Sequence, residues 1–178
     1  MKYIDMHCDT LEKCFLKGHE DFTSLPEFMI DVERLKKAGA AAQFFAMFML
    51  PPYIKEHWGK VIPKDEEYIS SLYEIFMNTL SKNPDTIALT RNYAEYKENQ
   101  EKGIISAFLT FEDGRAVDGK MENLERFYDM GFRLISLTWN GINCFGHPNS
   151  ADPEAMKLGL TPFGKEAVER MGEERTFI

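Results

Sequence analysis

"AFLTFEDGRAVDGKMENLERFYDMGFRLISLTWNG", residues 107–141, reads as strand, loop, helix, glycine and strand, and that order decides how the chain is built. An apolar run over residues 104–112 ends in the acidic pair Glu112-Asp113. Met121, Leu124, Phe127 and Tyr128 then recur at helical spacing, and Gly131 closes the helix directly before a second apolar run over 132–140. A strand, a crossover helix and a second strand make a βα unit, and repeated units imply a parallel sheet.

The same alternation extends outward in both directions. Residues 3–7 and 40–49 are further strand-like runs, giving four candidate strands. "PEFMIDVERLKKAG" from Pro26 carries Phe28, Val32 and Leu35 at helical spacing and closes on Gly39. "DEEYISSLYEIFMNTLSKN" from Asp65 has an apolar stripe of Ile69, Leu72, Phe76 and Leu80, and Asn83-Pro84 stops it. A shorter helix is predicted over 93–100, and a last one from Thr161-Pro162 to about Met171. The stretch over residues 51–65, "PPYIKEHWGKVIPKD", reads as an elaborated loop after the second strand. No linker or repeat divides the chain, so a single domain over 1–178 is expected. Four units are too few to close an eight-stranded barrel, which takes about 250 residues.

Composition narrows the function classes. With 178 residues, 44% of them hydrophobic and 13% aromatic, the chain can bury a sizeable core. A formal net charge of -8 argues against a nucleic-acid or anionic-membrane partner. Cys8, Cys14 and Cys144 are odd in number and lack paired spacing, which fits a reducing compartment. No run approaches the roughly 18 apolar residues of a membrane span, and no leader pattern opens the sequence. A cytoplasmic protein is expected.

In a parallel βα array the chemistry gathers where strands end. Here the ends read His7-Cys8-Asp9, Glu112-Asp113-Gly114 and Trp139-Asn140-Gly141. At a strand period of two, His7 and Asp9 share a face, so an imidazole nitrogen and a carboxylate oxygen can reach one cation. Glu112 offers two oxygens, enough to bridge two divalent ions. The plainer alternatives are a hydrogen-bonded His-x-Asp pair in a turn and an acidic turn before glycine. Trp139 reads as core or as the wall of a substrate pocket. His147, in "GHPNS", reads as a solvated loop residue or a substrate-loop residue, His19 and His57 as surface residues, and Cys8 as a buried structural thiol.

Taken in order, "IDMHCDT", "GAAAQFFAMFM", "AFLTFEDG", "LERFYDMGFRLISLTWNGIN" and "GLTPFGKEAVERM" resemble the N-terminal half of the membrane dipeptidase (renal dipeptidase) family of zinc metallopeptidases. The resemblance covers essentially the whole chain. It implies a (β/α)8 TIM barrel of the metal-dependent amidohydrolase type, of which about the first four βα units stand here. It also implies cleavage of dipeptides with a free C-terminal carboxylate, through a hydroxide bridging two zinc ions. By the family's pattern His7 and Asp9 bind the first zinc, and Glu112 bridges both as the catalytic carboxylate. In some members a histidine that helps hold the substrate stands where this sequence has Trp139; Trp139 and Asn140 are its substrate-side candidates.

The sequence departs from the pattern after "FGKEAVERM", where a further strand and its histidine are expected and "GEERTFI" stands instead. The second zinc's histidines, an arginine for the substrate carboxylate and a late aspartate also have no counterpart. The expectation is therefore half a barrel, holding one metal ion or fewer, completed as a homodimer or by a partner chain carrying the other half. Two alternatives stand beside a working dipeptidase: an inactive truncated fragment or paralogue that acts only as an oligomer or with a partner chain, and another amidohydrolase activity such as N-acyl amino acid deacylation.

Overall fold

The computed structural model describes residues 2–51 and 63–173. In chain order the elements are β1 (Tyr3–Asp5), α1 (Thr10–Lys17), α2 (Val32–Ala38), β2 (Ala40–Phe48), α3 (Asp65–Lys82), β3 (Ile87–Leu89), α4 (Tyr93–Lys102), β4 (Ile105–Glu112), α5 (Met121–Met130), β5 (Phe132–Ile135) and α6 (Pro162–Glu173). Short 3-10 turns stand at Gly114–Val117 and Ala155–Lys157. The chain divides into two compact units, Met1–Met47 with Glu66–Thr110 and Phe48–Asp65 with Phe111–Ile178.

The first unit is built on the strand order β1-β2-β4-β3. β1 runs parallel to β2 with Tyr3 opposite Ala40 and Asp5 opposite Gln43, and β3 runs parallel to β4 with Ile87 opposite Ile105. Eight of the nine residues of β2 are buried, as expected of a strand covered on both faces. Phe45 packs between Phe22 and Phe76, at ring separations of 4.9 and 5.7 Å, and Phe44 stacks on Phe108 at 4.5 Å. Full burial of Phe22, Phe45 and Phe76 is worth about 1.5–3 kcal/mol for each ring, which makes this the first unit's core. α3 supplies the covering layer through Tyr68, Ile69, Leu72, Ile75, Phe76 and Leu80.

In the second unit β5 joins the end of β4: Ser136 N donates to Phe111 O at 3.0 Å, and Gly114 N to Ser136 O at 2.9 Å. Phe111 stacks on Phe132 at 4.0 Å, and Phe127 of α5 meets both rings edge-on. α6 starts where Thr161 Oγ1 accepts from Gly164 N at 2.9 Å, and a Cβ at Gly164 would lie 1.9 Å from Phe145 O. Only glycine lets the 145 backbone press so closely on this helix.

The sequence expectations need several corrections. There are five described strands, not four, because residues 87–89 form a strand too short to show a periodicity. The helix expected from Pro26 starts at Val32, since Asp31 is extended at φ -147 and ψ 171 and its carboxylate accepts from Arg34 N at 2.8 Å. α1 was not anticipated. The strand expected over 132–140 ends at Ile135, and at 2.7 Å the Leu137 carbonyl accepts from the Asn143 side chain instead of a neighbouring strand. The strand expected over 3–7 ends at Asp5. Most of the elaborated loop, His57 and the last five residues lie outside the described residues.

Candidate metal centre

His7 and Asp9 stand beyond β1, so strand periodicity does not place them on a common face. Their convergence comes from a short irregular link between β1 and α1, held against the sheet where Ala46 N donates to Cys8 O at 3.0 Å. His7 N also donates to Asp5 Oδ1 at 3.2 Å, which tightens the turn. Asp9 occupies the N-cap position of α1, yet its side chain makes no capping bond. Its Oδ1 lies 3.1 Å from His7 Nε2 instead, with the two side chains 50% and 38% exposed. A nitrogen and an oxygen donor thus face one another at an accessible helix start, where a carboxylate is favoured by the helix dipole. This donor chemistry suits zinc or a similar divalent ion.

Glu112 is the last residue of β4 and is half-buried. In the second unit its carbonyl accepts from Met49 N at 2.9 Å, which fixes the main chain at the strand end. Asp113, which follows it, is wholly buried and binds Arg115 and Asn143, so it is more than the turn residue read from sequence. Trp139 is half-buried and meets Phe48 edge-on at 4.9 Å, the arrangement of a packed wall. Asn140 is exposed in the loop after β5. The asparagine that organises this loop is Asn143, which the sequence reading passed over; its partner Asp113 lies thirty positions away, and no local spacing announces such a pair.

The remaining residues singled out from sequence have quieter surroundings. Cys8 is buried, and desolvation pushes its thiol up to about 12, consistent with a structural role. His19 pairs with Glu27 at 2.9 Å on the surface. His147 lies in the loop after β5, with Nδ1 buried and unpartnered among the described residues.

The family model for membrane dipeptidase, peptidase family M19, matches residues 1–176. The chain belongs to the membrane dipeptidase family. A protein of Acinetobacter calcoaceticus known only as an uncharacterized protein in the PQQ-III 3' region is 26% identical over 98% of this chain and 61% of its own length. Among solved structures, dipeptidase AC, a metallo peptidase of family M19, superposes with a TM-score of 0.78 at 20% identity, over 99% of this chain and 55% of that one. A metallo peptidase from Rhodobacter sphaeroides, solved with a phosphinate mimic of the dipeptide L-Ala-D-Ala, superposes with a TM-score of 0.75 at 20% identity, over 99% of this chain and 57% of that one. The chain therefore spans between about half and three fifths of these relatives' lengths. The expected α/β fold with a parallel sheet is the one shared with these solved structures. No described helix is long and apolar enough to cross a membrane.

Proposed function

We propose that the protein to which this chain belongs hydrolyses dipeptides at a divalent metal centre, to which the chain contributes His7, Asp9 and Glu112. The observation that carries this reading is the His7–Asp9 pair just beyond β1, in a chain whose family is one of metal-dependent peptidases. Glu112, the last residue of β4, is the further carboxylate ligand in this reading. The dipeptide class is supported by the Rhodobacter sphaeroides neighbour, whose ligand mimics L-Ala-D-Ala.

In this reading the centre is a zinc pair. When bound, the zinc pair supplies Lewis acidity, which polarises the scissile carbonyl and acidifies the attacking water. His7 would offer a ring nitrogen, and Asp9 and Glu112 carboxylate oxygens, to hold the metal. Trp139 offers a rigid apolar wall for a substrate side chain, and Asn140 an amide for a peptide group. We also infer a reducing, cytoplasmic compartment, supported by the free thiols of Cys8, Cys14 and Cys144.

The test is zinc titration of metal-stripped protein by calorimetry, for the natural chain and for His7→Ala and Glu112→Gln. The natural chain is expected to bind zinc, and each variant to bind at least about tenfold more weakly, the usual consequence of losing a ligand or its support. L-Ala-D-Ala hydrolysis, followed by release of free amino acid, is expected to need added zinc and to disappear in His7→Ala. Zinc binding that ignores both substitutions would overturn the reading.

A further inference from the structure

Two described non-glycine residues have positive φ, Asp113 and Asp118. Asp118, at φ 54 and ψ 31, is in the left-handed region that aspartate tolerates. Asp113 is not: at φ 73 and ψ 107 it lies outside that region, and its side chain is completely buried.

Every acceptor position of the Asp113 carboxylate is engaged within the second unit. Oδ1 accepts from Arg115 N at 3.1 Å and from Asn143 Nδ2 at 2.6 Å. Oδ2 accepts from Arg115 Nε at 3.0 Å and Nη2 at 2.8 Å, a two-pronged charged contact. Asp113 N donates to Ser136 Oγ at 2.9 Å, while Ser136 also takes Gly114 N on its carbonyl and gives its own N–H to Phe111 O. Ser136, just beyond β5, thus binds the backbone on both sides of Glu112.

The same cluster reaches the loop after β5. Asn143 donates to Leu137 O at 2.7 Å and accepts from Phe145 N at 2.9 Å. A Cβ at Gly141 would sit 3.4 Å from Arg115 Nη2, so this backbone passes close over the guanidinium. Glycine would satisfy a bare turn at this φ without burying a charge. A strained aspartate held by a half-buried cation and an amide instead points to a positional demand on its neighbours.

We propose that Asp113 is a positioning residue: gripped by Arg115 and Asn143, it fixes the direction in which Glu112 presents its carboxylate and ties that strand end to the loop carrying Trp139 and Asn140. This rests on the metal-centre reading of Glu112. Charged and polar partners behind a ligand set its orientation, and their loss typically weakens metal binding about 10–100-fold.

The experiment titrates metal-stripped protein with cobalt(II), reading affinity and the visible absorption band, for the natural chain and for Asp113→Gly, Asn143→Ala and His7→Ala. Asp113→Gly relieves the backbone while removing the grip, so it separates the turn from the positioning role. It is expected to keep its far-ultraviolet circular dichroism, bind cobalt at least about tenfold more weakly and shift the band. Asn143→Ala, which removes one of the four contacts, is expected to shift the band in the same direction and decides the matter should Asp113→Gly not fold. If the folded variants keep the natural affinity and band while His7→Ala loses cobalt, the positioning role is overturned and the metal centre stands. If the natural chain binds no cobalt, or His7→Ala binds it equally well, the metal-centre reading fails and this proposal with it.

Discussion

Cys14 shows how burial, not residue type, governs chemistry at the scale of one side chain. It is fully buried on α1, and desolvation, reinforced by the negative charge of Asp21 nearby, pushes its thiol up to about 12. The thiolate is the reactive form, so at pH 8 alkylation of Cys14 in the folded protein is expected to run on the order of a thousandfold slower than for a free thiol. Iodoacetamide labelling read by peptide mass checks this, with Cys144, only half-buried, labelling first. Labelling of Cys14 as fast as Cys144 would mean that α1 does not stay docked. The same scale shows how much of the candidate site was legible in the sequence. His7 and Asp9 were legible because chemistry and proximity coincide within three residues. Asp113 was not, because its meaning depends on a backbone angle and on Asn143, and neither leaves a local pattern.

Elements were legible in proportion to their length. β2, β4, α3 and α5 carry enough apolar residues to display a period, and all four stand close to where the sequence puts them. β3, with three residues, and α1, which hides behind the polar His7–Asp9 link, do not. At α2 the apolar spacing ran on past the true start, because a period cannot see a cap. Asp31 is that cap: its buried carboxylate accepts from Arg34 N at 2.8 Å and Leu25 N at 2.9 Å, and it also binds the Arg34 guanidinium. Asp31→Ala strips the helix start and removes the acceptor of the half-buried Leu25 N–H, which is expected to lower stability by about 2–3 kcal/mol. Asp31→Asn keeps an acceptor oxygen and is expected to cost about 1 kcal/mol. Urea denaturation midpoints separate the two, and equal losses would show that the charge, not the cap geometry, is what matters.

At the scale of the whole molecule the fold class was the most legible property, because alternation of strand and helix survives errors in every boundary. The two compact units were invisible in the sequence for a physical reason. Independent domains usually meet at exposed, polar linkers, whereas this division falls inside two strands. It cuts β2 between Met47 and Phe48 and β4 between Thr110 and Phe111. Met47, Thr110 and Phe111 are each no more than 1% exposed, so neither unit can lose its part of these strands without baring the core of one chain segment. The expected result in scanning calorimetry is therefore one transition, with calorimetric and van't Hoff enthalpies in agreement. At about 0.7 kcal/mol per residue, that enthalpy is about 120 kcal/mol near 60 °C. Two resolved peaks, or a van't Hoff value near half the calorimetric one, would show that the units unfold separately and that the shared strands do not couple them.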